Sequence, residues 1–539
     1  MTASSANGYN ETNNMVQIEE TIYQELVENK ERVPLLEHKI RLLEEGLRRA
    51  GVRMFGRSSE KFTPEQYRLL FNEIEENLDP QAPEPAVETL TYTRKRGGQR
   101  KLDLDLLTTE EVRYSLPEEE QICPQCDGHL HKMGEEVREE LKIVPAQHVR
   151  VRHIRDKYAC RHCQNHALKT PVVTAPMPEP AFPGSLASPS LVAHTLYLKF
   201  VLGIPLYRQE QDLRRKGLDI SRQNLSNWAL RGADLLSPLY DRIAVHLRRR
   251  DILHADETVL QVLHESGRKA EQQSYMWLYR SGRDGPPLIL YEYQPTRESK
   301  HPQTFLCGYP GYLHVDGYEA YEALPGASLV GCWSHARRKF KEALDGLPPD
   351  ERKQGNTRTH QAMKFCRDLF KIERDLHDVT PAERKVAREQ RSKPLLDKMH
   401  ACLLAGKEEL APKSHAGKAF SYCVNQWSKL TRFLEDGRLE IDNNRAERSV
   451  KPFVIGRKNW LFSNTAKGAR SSAILYSIVE TAKENNLDPF RYLTYLFEQL
   501  PGISKQNVSA LDRLLPIEPE IQAKFGVQMK SAPPKTSKQ

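Results

Sequence analysis

The chain changes its hydrophobic period several times, and each change marks a different kind of element. Within residues 18–74, Leu36, Ile40, Leu43 and Leu47 recur at steps of four, three and four with Glu and Arg between them. That is the seam of an amphipathic helix, packed on its own domain or paired in a short coiled coil. The strand formers Leu141, Ile143, Val144, Val149, Val151, Ile154 and Tyr158 then replace the helical pattern. Helix returns over 190–250, where 207–216, a break at Gly217 and a second helix capped by Ser221 have the punctuation of a helix-turn-helix. A plain helical hairpin fits the same punctuation.

From Asp251 the period shortens again. Residues 252–263, 275–281 and 287–293 alternate as strands separated by polar, Gly-containing turns, and predict an antiparallel meander of three strands. A short helix near Pro302 leads to strands at 311–315 and 327–332 and a basic helix at 333–344. A helical crossover permits the fourth strand to lie parallel beside the first. Residues 346–438 are rich in Lys, Arg, Glu and Leu and read as a helical insertion. The core resumes at Leu439, where Asp442 or Asn443 caps a short helix that carries Glu447 and ends at Pro452.

The expected fold class is multidomain α+β. A ribonuclease-H-like α/β domain with a mixed five-stranded sheet occupies 251–345 and 439–465, interrupted by the insertion at 346–438. Before it come a disordered tail (1–17), the N-terminal helical or coiled-coil region (18–74), a linker with a basic patch (75–114), a zinc-ribbon-like domain (115–170) and a helical domain (171–250). After it come a helical segment (466–515) and a second disordered tail (516–539).

Charge adds a hint about partners. Lys and Arg total 80 against 72 Asp and Glu, a formal +8, but the imbalance is local. Residues 445–470 hold seven Lys or Arg opposed only by Glu447. Such stretches suit phosphates, although solvated helix faces look alike. The first 14 residues lack the apolar core of an export signal, and 191–207 is broken by His194, Lys199 and Pro205, so neither secretion nor membrane insertion is expected. No phosphate-binding G-x-x-x-x-G-K-[ST] loop occurs.

Two sets of residues carry chemistry. Cys123, Cys126, Cys160 and Cys163 form two C-x-x-C pairs in a chain without an export signal, which points to a closed, structural Zn²⁺ site. Asp256 and Asp316 end strand-like runs, and Glu447 sits on a downstream helix. Three ionised carboxylates drawn together repel unless cations neutralise them, and Mg²⁺, an oxygen-seeking ion that keeps its waters, suits them. Two such ions would support phosphodiester chemistry. Glu440 and Asp442 compete with Glu447 for the third place, and spacing does not choose among them.

The H-A-D-E-T, H-V-D-G-Y, C-W-S-H-A-R-R-K-F and D-N-N-R-A-E-R…G-R-K-N-W motifs resemble those of the DDE transposases of the bacterial insertion-sequence family numbered sixty-six, named for their Asp, Asp and Glu. The resemblance runs through nearly the whole chain, from F-G-R-S-S-E-K near the N-terminus to N-N-L-D-P-F-R-Y-L. It implies that Asp256, Asp316 and Glu447 bind two Mg²⁺, with Mn²⁺ as a substitute, nick the ends of an element and join the freed 3′-hydroxyls to target DNA. It also implies a homo-oligomer on DNA, accessory proteins of the same element, and a cytoplasmic, nucleoid-associated location. Phosphate contacts are expected from His335, Arg338, Arg448, Arg457 and Lys458, with Arg94, Arg96, Arg100 and Arg222 as further DNA contacts. A nuclease without strand transfer, and a non-catalytic zinc-ribbon regulator, remain as alternatives.

Overall fold

A computed structural model describes Ile40, residues 147–159 and residues 172–527. The expectations for Leu36, Leu43 and Leu47, for Arg94, Arg96 and Arg100, and for Cys123, Cys126, Cys160 and Cys163 lie outside the described residues. The chain divides into two units, Ser58–Met177 and the remainder, Met1–Arg57 with Pro178–Gln539.

In the smaller unit, strand β1 (Lys157–Ala159) pairs antiparallel with β2 (Val172–Thr174), Tyr158 opposite Val173. Arg155 Nε braces the pair from outside, donating to the Ala175 carbonyl at 2.9 Å. Of the strand formers, Tyr158 lies in β1, whereas Val149, Val151 and Ile154 lie outside any strand and their side chains are exposed. Strand propensity is realised through packing against neighbours, which these side chains lack among the described residues.

Among the described residues from Pro178 on, the larger unit runs first through three helices. In α1 (Pro189–Phe200) the Ser188 hydroxyl caps Leu191 N. Helix α2 (Leu206–Arg215) ends at Gly217, whose φ of +80° turns the chain in the left-handed region that glycine tolerates. Ser221 then caps Asn224 N and starts the long α3 (Arg222–Arg248), which packs Leu236, Leu239 and Ile243 beneath the sheet.

The sheet runs from residues 289–294 at one edge through 273–281, 252–264 and 312–315 to 328–331 at the other. Strands β3 (Ile252–His264), β4 (Gln273–Ser281) and β5 (Ile289–Gln294) form the antiparallel meander. Short helix α4 (Lys300–Phe305) then lets β6 (Tyr312–Val315) lie parallel to β3, and β7 (Ser328–Gly331) lies parallel to β6. The count of five strands was one short. A sixth, β8 (Ser463–Thr465), adds in parallel to the far end of β3, with Ser463 opposite Val262. Its three polar residues carry no alternation; it is a strand because the chain leaves the preceding helix alongside β3.

Helix α5 (Trp333–Asp345) follows β7, and residues 346–438 are mainly helical, with α6 (Arg358–Asp375), α7 (Lys393–Glu409) and α8 (His415–Asn425) as their main elements. They share a core with one side of the sheet: Cys366, Leu369, Met399, Leu403 and Phe420 are buried together with Phe340 and Trp333 of α5 and Val330 of β7. Buried Arg388 fastens their return to the sheet. The guanidinium holds Glu373 at 2.7 and 2.9 Å and donates to the carbonyls of Phe433 (2.7 Å) and Leu439 (2.9 Å).

The helix that carries Glu447, α9 (Asn444–Trp460), does not stop at Pro452 but runs two turns past it. An interior proline forfeits one backbone bond and typically costs about 3 kcal/mol. Here Ala446, Val450, Phe453 and Gly456 are buried along one face of the helix, and that packing offsets the loss. Helix α10 (Ala466–Glu484) covers the outer edge of β5, its Ser477 and Thr481 hydroxyls accepting Tyr291 N (2.8 Å) and Ile289 N (3.1 Å). The edge strand is thereby bonded from outside. Helix α11 (Pro489–Gln499) packs against α1. No helix among the described residues is long and apolar enough to cross a membrane.

Candidate active site

The parallel pairing of β3 with β6 sets His254 opposite His314. Side chains two residues apart share a strand face, so Asp256 and Asp316 stand next along the same rows, where β6 ends and β3 continues. Asp256 Oδ1 accepts its neighbour's backbone N–H, from Glu257, at 2.9 Å. Asp316 Oδ1 accepts Tyr318 N at 2.9 Å across a turn in which Gly317 takes φ +94°. A Cβ there would also sit 2.9 Å from the Tyr422 hydroxyl, which donates to the Asp316 carbonyl at 2.8 Å.

Residues 440–443 cross the strand ends and aim α9 at this spot. Trp333 N donates to the Ile441 carbonyl, Asn443 N to Cys332 Sγ, and the Asn443 side-chain amide to the Ala255 carbonyl at 2.8 Å. The first turn of α9 then delivers Glu447. Burial pushes the Asp256 carboxyl well above the usual carboxylate range, and the charges of Glu257, Asp316 and Glu447 add to the push. Asp256 therefore lies near enough to Asp316 and Glu447 to feel the charge of both.

The rivals for third place are engaged elsewhere. Glu440 binds Arg445 (2.9 Å), Arg283 (3.2 Å) and His254 Nε2 (3.2 Å). Burial alone would raise its carboxyl, but the hydrogen bonds from His254 and Arg445 outweigh that and hold it far below the carboxylate range. Asp442 accepts from Ser334 Oγ, Asn444 N and Asn444 Nδ2. Glu447, by contrast, has an oxygen, Oε1, with no hydrogen-bond partner. His335 Nδ1 and Arg338 Nη2 approach its two oxygens only to 3.6 Å each. Burial keeps the His335 imidazole below its ordinary pKa, hence neutral at pH 7.

Several residues here escaped the sequence reading. His254 and His314 stack beneath the aspartates, ring centroids 4.1 Å apart, and Asn443 Oδ1 lies 2.9 Å from His254 Nδ1. Their signal was a histidine two places before each aspartate, in both H-A-D and H-V-D. Glu257 points the opposite way from Asp256 and is buried against Arg297 and the Tyr321 hydroxyl (2.8 Å). The Arg297 guanidinium lies 3.6 Å over the Tyr318 ring.

The expected DNA contacts are scattered. Arg222 opens α3 on an exposed turn shared with Gln223 and Asn224. Arg448 is exposed one residue beyond Glu447, and Lys458 is exposed at the other end of α9. Arg457 is half-buried and spends one arm on the Val259 carbonyl. His335 and Arg338 turn toward Glu447, so their first partner is the acid.

Among the described residues, the group whose ligand atoms already lie within 4.8 Å of one another is Cys332, His335 and Glu447, whereas the expected metal ligands are Asp256, Asp316 and Glu447. An all-oxygen donor set, crowded like charges and an unbonded carboxylate oxygen fit a hard divalent cation. Comparison with known proteins agrees with a DNA-processing site. Residues 184–471 match the model described as "Transposase IS66 family", 120–164 its zinc-finger binding domain, which spans all four paired cysteines, and 477–517 its C-terminal element. The chain is 33% identical over 412 residues to "Uncharacterized protein y4jD" of Sinorhizobium fredii, covering 74% of this chain and 78% of that one. It is 31% identical over 446 residues to "Uncharacterized protein y4hP" of the same organism, covering 79% and 78%. With a family model matched across more than half its length, around the cleft just described, the chain belongs to the IS66 transposase family, whose work is transposase-type processing of DNA.

Proposed function

We propose that the chain is a DDE transposase. On a ribonuclease-H-like sheet, Asp256, Asp316 and Glu447 would hold two Mg²⁺ or Mn²⁺, cut phosphodiester bonds at the ends of an insertion sequence, and transfer the 3′-hydroxyl ends to target DNA. The observation that carries this reading is the parallel β3–β6 register that sets the Asp256 and Asp316 rows side by side, with Glu447 in the first turn of α9 while Glu440 and Asp442 are engaged with neighbours of their own. Bound cations would supply Lewis acidity at the scissile phosphate and a lowered pKa for the attacking water or hydroxyl.

The rest belongs to the chain's own groups. The turn bonds at Glu257 N and Tyr318 N orient one oxygen of each aspartate and leave the other free to ligate. Tyr422 and Asn443 pin the backbone on either side. Arg448 and Lys458 would take phosphates, with Arg222 contributing from α3. Cys123, Cys126, Cys160 and Cys163 would close a structural zinc ribbon. Synapsis of two ends calls for at least two copies, at the nucleoid, with accessory proteins of the element.

The test is Mg²⁺-dependent cleavage of an end-containing duplex, with joining to a labelled plasmid read in parallel. Asp256→Asn, Asp316→Asn and Glu447→Gln should each bind DNA yet cut it roughly a thousandfold or more slowly, about 4 kcal/mol of barrier. Retained cutting by any of them removes that residue from the site, and nicks without joined product reduce the activity to that of a nuclease.

A further inference from the structure

The carboxylate cleft has a softer corner. Cys332 closes β7 and caps α5, and His335 lies one turn into that helix, a C-x-x-H spacing. The Cys332 sulfur, a His335 ring nitrogen and a Glu447 oxygen all lie within 4.8 Å of one another. Tetrahedral zinc, with bonds of about 2.3 Å to sulfur and 2.0–2.1 Å to nitrogen or oxygen, sets its ligand atoms roughly 3.3–3.6 Å apart. His335 Nδ1 and Glu447 Oε1 already stand 3.6 Å apart, and the sulfur, within 4.8 Å of its two companions, needs to close by at most about an ångström.

Two details point to a ligand. His335 Nδ1 and Glu447 Oε1 are both buried and lack a hydrogen-bond partner, a costly state for adjacent polar atoms. The Cys332 sulfur already accepts Asn443 N–H at 3.2 Å, the kind of outer-shell bond that orients a metal-bound thiolate. A cation on Nδ1 places the imidazole proton on Nε2, where Arg338 now approaches at 3.5 Å. That side chain is 51% exposed and can swing into solvent.

We propose that Cys332, His335 and Glu447 bind one borderline-soft divalent cation of the zinc and cobalt class, overlapping the hard-cation cleft through Glu447. Binding releases the thiol proton to solvent and leaves a fourth position for water. The cation thereby withdraws Glu447 from magnesium, so zinc antagonises cleavage. Only this antagonism rests on the reading of Glu447 as a magnesium ligand; the binding stands on its own.

Cobalt(II) is the probe, titrated into full-length protein whose other metal-binding thiols are filled with zinc, which cobalt displaces poorly. The expected result is a sulfur-to-cobalt charge-transfer band saturating near one equivalent, absent in Cys332→Ser, with affinity at least about tenfold weaker in His335→Gln. No band, or a band that survives Cys332→Ser, overturns the site. Should Cys332→Ser fail to fold by circular dichroism, unchanged cobalt affinity in His335→Gln overturns it instead. In the Mg²⁺ cleavage assay, Cys332→Ser should need roughly ten times more zinc for half-inhibition, and equal sensitivity overturns the overlap. If cobalt binds as described but the parent chain never cuts DNA, the metal site stands and the catalytic reading of Glu447 falls, taking the antagonism with it.

Discussion

Asp256 stands in the least favourable electrostatic position of the cleft: buried first, then crowded by Glu257, Asp316 and Glu447, its carboxyl titrates well above the usual range. A carboxyl whose pKa is raised by folding favours the folded state fully below its unfolded value, about 3.9, and that contribution is lost as pH rises through the folded value. Without added magnesium the protein should therefore lose stability as pH climbs through Asp256's raised pKa. Asp256→Asn should remove that part of the slope and, if it relieves about 1 kcal/mol, raise the melting temperature at pH 8 by roughly 1 °C. Calorimetry at pH 5 and pH 8, with and without Mg²⁺, checks this; a parent chain that melts higher at pH 8 without magnesium than Asp256→Asn would contradict it. Glu447 and its rivals differ at the same scale. Spacing could not rank Glu440, Asp442 and Glu447, because the choice depends on which oxygens are already bonded, and Arg445, Arg283 and Ser334 reach their partners only in the folded chain.

Among the elements, the strands were readable where apolar runs were bounded by glycine turns: β3, β4, β5, β6 and β7 all lie within two residues of their expected bounds. What the pattern missed depended on tertiary partners. Strand β8 is polar and follows from where α9 ends, and α9 survives Pro452 because Phe453 and its neighbours are packed. Glu257 hid beside Asp256 because one residue's shift along a strand reverses its face. The insertion's helices were expected, but nothing local announced that Arg388 would knot them to residues 433–439. Arg388→Met leaves half-buried Glu373 and several carbonyls unpaired and should cost about 3 kcal/mol. Hydrogen exchange should show the loss first in residues 358–439, before β4 and β5; uniform protection across both regions would refute the knot.

Across the whole molecule, the modest net charge of +8 says little, whereas its placement says more. Exposed Arg448 sits beside Glu447, where a phosphate next to the scissile bond would lie. Neutralising one phosphate contributes about 0.9 to the slope of log affinity against log salt on duplex DNA. Arg448→Ala should flatten that slope by about this amount between roughly 50 and 200 mM salt, leaving sequence preference unchanged. Fluorescence anisotropy on matched and scrambled duplexes reads both, and an unaltered slope would remove Arg448 from the interface.

The hydroxyl of Tyr422 reaches Asp316 from a helix that the chain's linear order places in a side excursion of nearly a hundred residues. Anyone shortening this protein to its sheet would therefore strip a wall from the chamber being preserved. The excursion is masonry shared between two rooms.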